Sequence, residues 1–576
     1  AGLKIQATVP HVQGAVAVRA IIQQSNGAYY PGEWGDSTWP NVALRGKAMA
    51  PDTIVQLPPG NTVITVGKGP DYYPQTFTLN LPAGQITTLT VDLKPVLDMR
   101  RYGWVAGDVH PHYNHGEGEV LYSPREIQAM SAAGGLNFIS LCQEHYGAGT
   151  LTREEMFNIW AQFNQTECQV WLGAEEPKNA WGHYASIVYD PWSIRSPLPY
   201  SIGVNEVHRQ GGVSIPAHPV RMFPGKFDGQ DWQLFPLNNF FKAYPLQALT
   251  GNQIDAWGGI SDEAYHPDTL PPFFELLNMG YRIPLLADSD IVFDRHSNGD
   301  KAPGNWVNYF QIEGALSKAS VIQAIKRGRV VATTGPMLMF TIDGAAPGSI
   351  LPADGRTLTG RIQAVYAFNP WTLSSNSFNG EPCRVMQVDL FRNGEIIQTW
   401  NPNTPSATID VPITETTDGS YYMVRVLGTD ATWMAAYSSP IYFQNTPRPR
   451  QPEGFTPLVN GRVYDAASGA AVPATVSCVR DGNTLWTLQT DPRGLFRAYV
   501  PLDAKLVARD ASGRQIARDI LNDESVYSFC HNLPDTFPHL TGSIDALRSL
   551  IREVTWEFPL GYQNAASYVR QAVNGN

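Results

Sequence analysis

The sequence predicts a multidomain α/β plus all-β protein, in which an α/β unit, a parallel sheet or a barrel, is flanked by β-sandwich domains. Three observations predict it. The chain has 576 residues, more than one hydrophobic core usually supports. It contains 51 Gly and 45 Pro with only 16% charged residues, a balance suited to turn-rich β folds. Only between residues 99 and 335 do apolar runs alternate with amphipathic helix patterns.

Residues 1–98 read as short strands between turn signals, with Leu89, Val91 and Leu93 alternating as a half-buried strand requires, and are assigned to an N-terminal β-sandwich. In 99–335, Ser123 and Glu126 form a capping box ahead of a helix, and Thr152 and Glu155 form another. Met156, Ile159, Trp160 and Phe163 make one buried stripe of the second helix. The intervening strands are "NFISLCQEH", "CQVWLGAEE", "GGVSIPAHP" and "RIPLLADSD". Residues 336–446 return to strands with an Asn393-Gly394 hairpin signal, a second β-sandwich. Asn445 to Gly454 is a Pro-rich linker, 455–520 a compact β-module, and 521–576 a segment with one helix pattern, "GSIDALRSLIREV".

A net charge of −11 without any Lys/Arg run argues against nucleic acid and anionic membranes as partners. No apolar run reaches the length of a membrane span. The five scattered cysteines give neither a disulfide framework nor a thiolate metal site. Oligomeric state is not legible.

The polar residues of the middle segment fall just past strand ends: His110/His112, Glu144/His145, Glu175/Glu176, His218 and Asp288/Asp290. In a βα-barrel those ends converge on one rim, where active sites are built. Imidazole and carboxylate together are ligands for divalent Zn, Mn or Fe, and the number of candidates predicts two or three ions. His110 and His112, two apart on an extended chain, point to the same side. Gly116 and Gly118 let the loop return Glu117 to that site. Taken singly, each has a plainer reading: His115 in a loop, Glu119 solvated, His145 a helix cap, His183 bonded to a backbone carbonyl.

The ordered motifs "GDVHPHYNHGEGEV", "SLCQEH", "LGAEEPKNAWGH", "IPAHP" and "LLADSD" resemble the PHP (polymerase and histidinol phosphatase) superfamily. "VIQAIKRGRVVATTGPML" is similar to the ending of its carbaryl-hydrolase-like branch, which also carries β-domains around the catalytic one. The resemblance implies a distorted, TIM-like (β/α)7 PHP-type barrel and metal ligands His110, His112, Glu117, His145, Glu175, His218 and Asp290, with His183 and Asp288 less secure. Three positions depart from the family pattern. Glu144 and Glu117 each stand where the family has Asp, and Ser289-Asp290-Ile291-Val292 lacks the final His, with His296 four residues beyond.

The expected function is metal-dependent hydrolysis of a phosphoester in a small molecule, with carbamate or aryl-ester hydrolysis as the alternative. Glu175 would bridge the ions, Asp290 orient or deprotonate the attacking water, and His183 or His115 protonate the leaving oxygen. Lys178, Arg221 and Arg329 are candidate anion-binding residues, the first two preferred. A different class is a carbohydrate-binding multidomain protein whose barrel is catalytically impaired. The 455–520 module resembles the carboxypeptidase-regulatory-like β-sandwich of exported bacterial proteins, so a periplasmic or secreted location is expected.

Overall fold

The computed structural model describes residues 1–30, 46–113, 122–142, 153–164, 166–176, 183–194, 200–219, 226–227, 230–231, 251, 254–261, 266–293, 302–367, 383–429, 434–450, 454–480, 482–519 and 552–561. At the N-terminal end, Gly2–Thr8 lies between Ile54–Gln56 and Ile86–Asp92 in one sheet. Lys47–Met49, Val18–Gln23, Gly60–Gly67 and Gln75–Leu81 form an antiparallel second sheet. Alternation turns Leu3, Ile5, Leu89 and Val91 inward against Ile22, Ile64 and Val66, which makes a sandwich core.

This sandwich meets the next segment at Lys68, whose side chain is buried. Its Nζ donates to Ala17 O (3.0 Å), to Ala132 O and to Glu167 Oε1 (2.6 Å), so the buried charge is both paired and hydrogen-bonded. Beside it three backbones touch. A Cβ on Gly69 would lie 2.2 Å from Gly134 O, one on Gly134 2.3 Å from Pro303 O, and one on Gly304 2.1 Å from Gly134 O.

Numbered from Trp104, the middle segment contains β1 (Trp104–Asp108), β2 (Pro111–His112), α1 (Pro124–Ala133), β3 (Phe138–Cys142), α2 (Arg153–Ala161), β4 (Gln169–Glu175) and β5 (His183–Ile187). It continues with α3 (Tyr200–Arg209), β6 (Val213–Ala217), β7 (Trp257–Ser261), α4 (His266–Asn278), β8 (Leu285–Asp288), β9 (Ile291–Val292), β10 (Val307–Gln311), α5 (Lys318–Lys326) and β11 (Val330–Thr333). The Ser123 side chain accepts from Glu126 N and the Glu126 carboxylate from Ser123 N, completing the capping box of α1. Met156, Trp160 and Phe163 are buried as the stripe of α2 predicts, while Thr152 lies outside the described residues.

These strands do not form the expected (β/α)7 PHP-type, TIM-like barrel. The protein is predominantly β, with five α-helices among the described residues, and the main sheet is open and mixed. Its path is β6-β5-β4-β3-β1-β10-β11, continuing through Ala435–Ser438, Tyr421–Gly428 and Val385–Arg392 to the edge strand Glu395–Trp400. β1, β3 and β4 are parallel, but β5 is antiparallel to β4 and β6, and β10 is antiparallel to β1 and β11. Among the described residues β7 and β8 pair only with each other.

The physical reason lies in the connections. No helix separates β4 from β5 among the described residues, and a strand that returns without a crossover pairs antiparallel; β6 and β11 also lie antiparallel to β5 and β10 although α3 and α5 precede them, so the βα alternation does not propagate a parallel barrel. In the sequence, "LGAEEPKNAWGH" reads as a ligand motif, which hides the strand that starts at its last residue, His183. In place of a β8–β10 ladder, the Asn308 side chain accepts from Ala287 N (2.7 Å) and donates to Ala287 O (2.8 Å).

Met337–Ile342, Thr357–Val365 and Ser406–Thr414 form a second sheet whose buried residues share a core with the long one. The hairpin into Glu395–Trp400 turns at Asn393 (φ 55°) and Gly394 (φ 86°), the left-handed pair that a two-residue loop requires. In the last module Leu458–Asp465 lies between Leu495–Tyr499 and Glu553–Leu560, the latter parallel to it. The helix pattern of the last segment lies outside the described residues except for its end, where Glu553 and Val554 are strand. No helix among the described residues is long and apolar enough to cross a membrane.

The first part of the Pro-rich linker is docked through Arg450. Arg450 O accepts from Arg282 N (2.9 Å), and Arg450 Nη1 donates to Asp255 Oδ1 (3.1 Å). Buried Asp255 also accepts from Ser214 N (3.0 Å) and pairs with His208 Nε2 (2.8 Å). Burial opposes the charge on Asp255, but His208 and Arg450 outweigh it and hold its pKa well below the usual carboxylate value. A depressed carboxylate pKa adds stability above the unfolded value near ~4, and that stability fades as pH falls below it. Asp255→Asn is therefore expected to lower thermal stability at pH 7 and to flatten the acid limb below about pH 4. Melting temperature against pH for the two proteins checks this; parallel curves would exclude it.

Candidate metal centre

The site begins where β1 ends. Asp108 leaves the strand and its Oδ1 accepts from His110 N (3.1 Å), a turn that resets the chain before β2. β2 then runs parallel to both β3 and β9, with His112 opposite Cys142 and Val292. His110 and His112 emerge on one side with ring centroids 4.9 Å apart and Nε2 atoms 3.1 Å apart. Val292, where the resemblance placed a histidine, is buried in that ladder.

Glu175 ends β4. Because β5 folds back beside it with His183 opposite Ala217, His183 and His218 arrive together, ring centroids 5.4 Å apart. Glu175 Oε1 is 2.7 Å from His183 Nδ1, 3.3 Å from His218 Nε2 and 3.6 Å from His110 Nε2, and Oε2 is 3.7 Å from His112 Nε2. One carboxylate thus stands between two histidine pairs. Asp290 closes the other side, with Oδ1 3.0 Å from His112 Nε2 and 3.9 Å from His110 Nε2.

Asp288, at the end of β8, accepts from His110 Nδ1 through Oδ1 and from His218 N through Oδ2. His218 (φ 32°) and Asp290 (φ 45°) are both left-handed, a conformation that costs a non-glycine residue about 1–3 kcal/mol and clusters at functional sites. His110, His112, Glu175, His218 and Asp288 are buried, whereas the side chains of Asp290 (16% exposed) and His183 (21%) form the open side of the cluster.

The donor set fits a divalent cation. The triangle of His110 Nε2, His112 Nε2 and Asp290 Oδ1, with edges of 3.1, 3.0 and 3.9 Å, has a circumradius of about 2.0 Å, the bond length from zinc to imidazole nitrogen or carboxylate oxygen. His110, Glu175 and His218 form a second convergent group. The electrostatics agree. Burial disfavours charge on His110, yet the carboxylates of Asp288 and Glu175 outweigh it and raise its pKa well above the usual histidine value. His218 is lowered by burial, against the pull of Glu175, Asp288 and Asp290. Burial pushes Asp108 up to about 6. A field that holds a proton on a buried imidazole also favours a metal cation in its place.

Of the expected site residues, the structure brings together His110, His112, Glu175, His183, His218 and Asp290. Glu117, His145, Lys178 and Arg221 lie outside the described residues, as do His115, Glu119, Glu144 and His296. Asp108 was not singled out from sequence; its signal was the Asp two residues before His110, a spacing suited to a side-chain turn. Glu176 is buried beside Glu175. Arg329, weighed as an anion binder, instead pairs with exposed Glu313 at 3.3 Å.

No family model matches the chain, and no curated protein matches it. Among solved structures, a major pilin subunit of Bacillus cereus is 10% identical over 40% of this chain and 72% of its own, with a TM-score of 0.12. A human OSCAR ligand-binding domain is 13% identical over 32% of this chain and 94% of its own (TM-score 0.13). A fragment of Escherichia coli alpha-2-macroglobulin is 13% identical over 37% and 74% (TM-score 0.11). Scores this low assign neither fold nor function.

Proposed function

We propose that the chain is a metal-dependent hydrolase that cleaves a phosphoester bond in a small molecule. The observation that supports this reading is the convergence of His110, His112 and Asp290 on one point at metal-bonding distance, with Glu175 joining it to His218 and His183. His110, His112 and Asp290 would hold one ion; because His110 has one free ring nitrogen and it serves a single ion, a second would rest on Glu175 and His218. Such ions, of Zn, Mn or Fe, supply Lewis-acid chemistry, acidifying water and neutralising charge on substrate oxygens.

The protein's own residues divide the remaining work. Asp290, at the open side, orients the attacking water and accepts its proton, and His183, also open to solvent, protonates the leaving oxygen. The buried walls behind Glu175 and His218 exclude bulk water from the far side. An exported location accords with the turn-rich, weakly charged composition.

The test is a panel assay of the purified chain reconstituted with Zn, Mn or Fe(II), together with elemental analysis. Turnover of p-nitrophenyl phosphate or bis-p-nitrophenyl phosphate with at least one ion bound per chain is the expected outcome. Turnover restricted to carbamates or aryl esters would move the proposal to that ester class. A metal-free chain that turns over nothing on the panel would overturn it.

A further inference from the structure

We infer that Asp288 is a positioning residue that sets two ligands at once while ligating nothing itself; the inference rests on the proposed metal centre. Its two oxygens are both committed. Oδ1 accepts from His110 Nδ1, which fixes the imidazole tautomer and leaves Nε2 to face His112, Glu175 and Asp290. Oδ2 accepts from the backbone N–H of His218, which holds that residue in its left-handed conformation and so aims Nε2 at Glu175.

His110 belongs to both convergent groups and His218 to one, so this single carboxylate ties the β1–β2 corner to the end of β6. Asp290, two residues on, is the contrast. Its carboxylate is partly exposed and faces the Nε2 atoms of both His110 and His112, as a ligand should.

Three variants separate the roles: Asp288→Asn, Asp288→Ala and Asp290→Ala. Asparagine can still accept from His110 Nδ1, but its amide cannot also accept from His218 N. Asp288→Asn is expected to keep the wild-type number of ions per chain while metal affinity, measured by competition with a chromophoric chelator, falls by about 10–100-fold. Asp288→Ala is expected to fall further, and Asp290→Ala to lower the number of ions. Loss of an ion in Asp288→Asn would make Asp288 a ligand and overturn the inference, as would unchanged affinity.

A second readout uses no metal. In the ¹⁵N-histidine-labelled apoprotein, His110 should show a strongly downfield Nδ1–H proton that shifts in Asp288→Asn and is lost in Asp288→Ala. If the wild type binds no metal yet shows this signal with that response, the hydrolase reading fails while the hydrogen-bonding role of Asp288 stands. If the signal is absent from wild type, the inference fails whatever the metal content.

Discussion

His110→Ala is expected to abolish metal binding and to lower hydrolytic turnover by about 10³-fold or more, the scale of losing the electrostatic stabilisation of a transition state. No other described side chain belongs to both convergent groups. Its removal takes away the one free nitrogen on which both groups converge and leaves Asp288 without the imidazole that shares its charge. Direct measurement is by elemental analysis and single-substrate kinetics, with circular dichroism to confirm folding. A folded His110→Ala protein that retains its ions and its turnover would dismantle the site. His183→Ala is the informative comparison. It removes a partly exposed side chain that touches one carboxylate oxygen, so metal content should persist while turnover falls.

Gly304→Ala is expected to destabilise the fold by about 3–5 kcal/mol, the sum of a strained left-handed alanine and an overpacked contact. The new Cβ would lie 2.1 Å from Gly134 O with φ at 90°, and the obstacle is backbone carbonyl rather than a side chain able to rotate. Gly134 in turn touches Pro303 O and approaches Gly69, so relief at one point creates a clash at another. Gly314→Ala provides the control. Its φ is 76°, but nothing lies within 4 Å of the added Cβ, and it should cost only the conformational part, about 1 kcal/mol. Urea unfolding of both variants checks the difference, and equal losses would rule out the three-backbone contact as the cause.

What was legible in the sequence followed from local rules. Ser123 and Glu126 announce their helix because a capping box is a matter of four consecutive residues, and Asn393-Gly394 announces its hairpin because two left-handed positions demand such residues. The donors at strand ends were legible for a similar reason: each apolar run stops at its polar residue. Direction was not legible. Whether β5 runs with or against β4 depends on the connection between them, and no periodicity encodes it. The role of Asp288 was equally hidden, because both of its partners are supplied by elements distant in sequence.

The parallel pairing of Glu553–Leu560 with Leu458–Asp465 bears on how the protein is made. Trp556, Phe558 and Leu560 are buried in the same core as Val459 and Val463. During synthesis the earlier strands of this module leave the ribosome first and must wait, apolar face unprotected, until the partner strand emerges. Pairing across so long an intervening stretch is slow to close. A chain that lacks Glu553–Leu560 would leave Val459 and Val463 without the cover of Trp556 and Phe558, and the core of this module open.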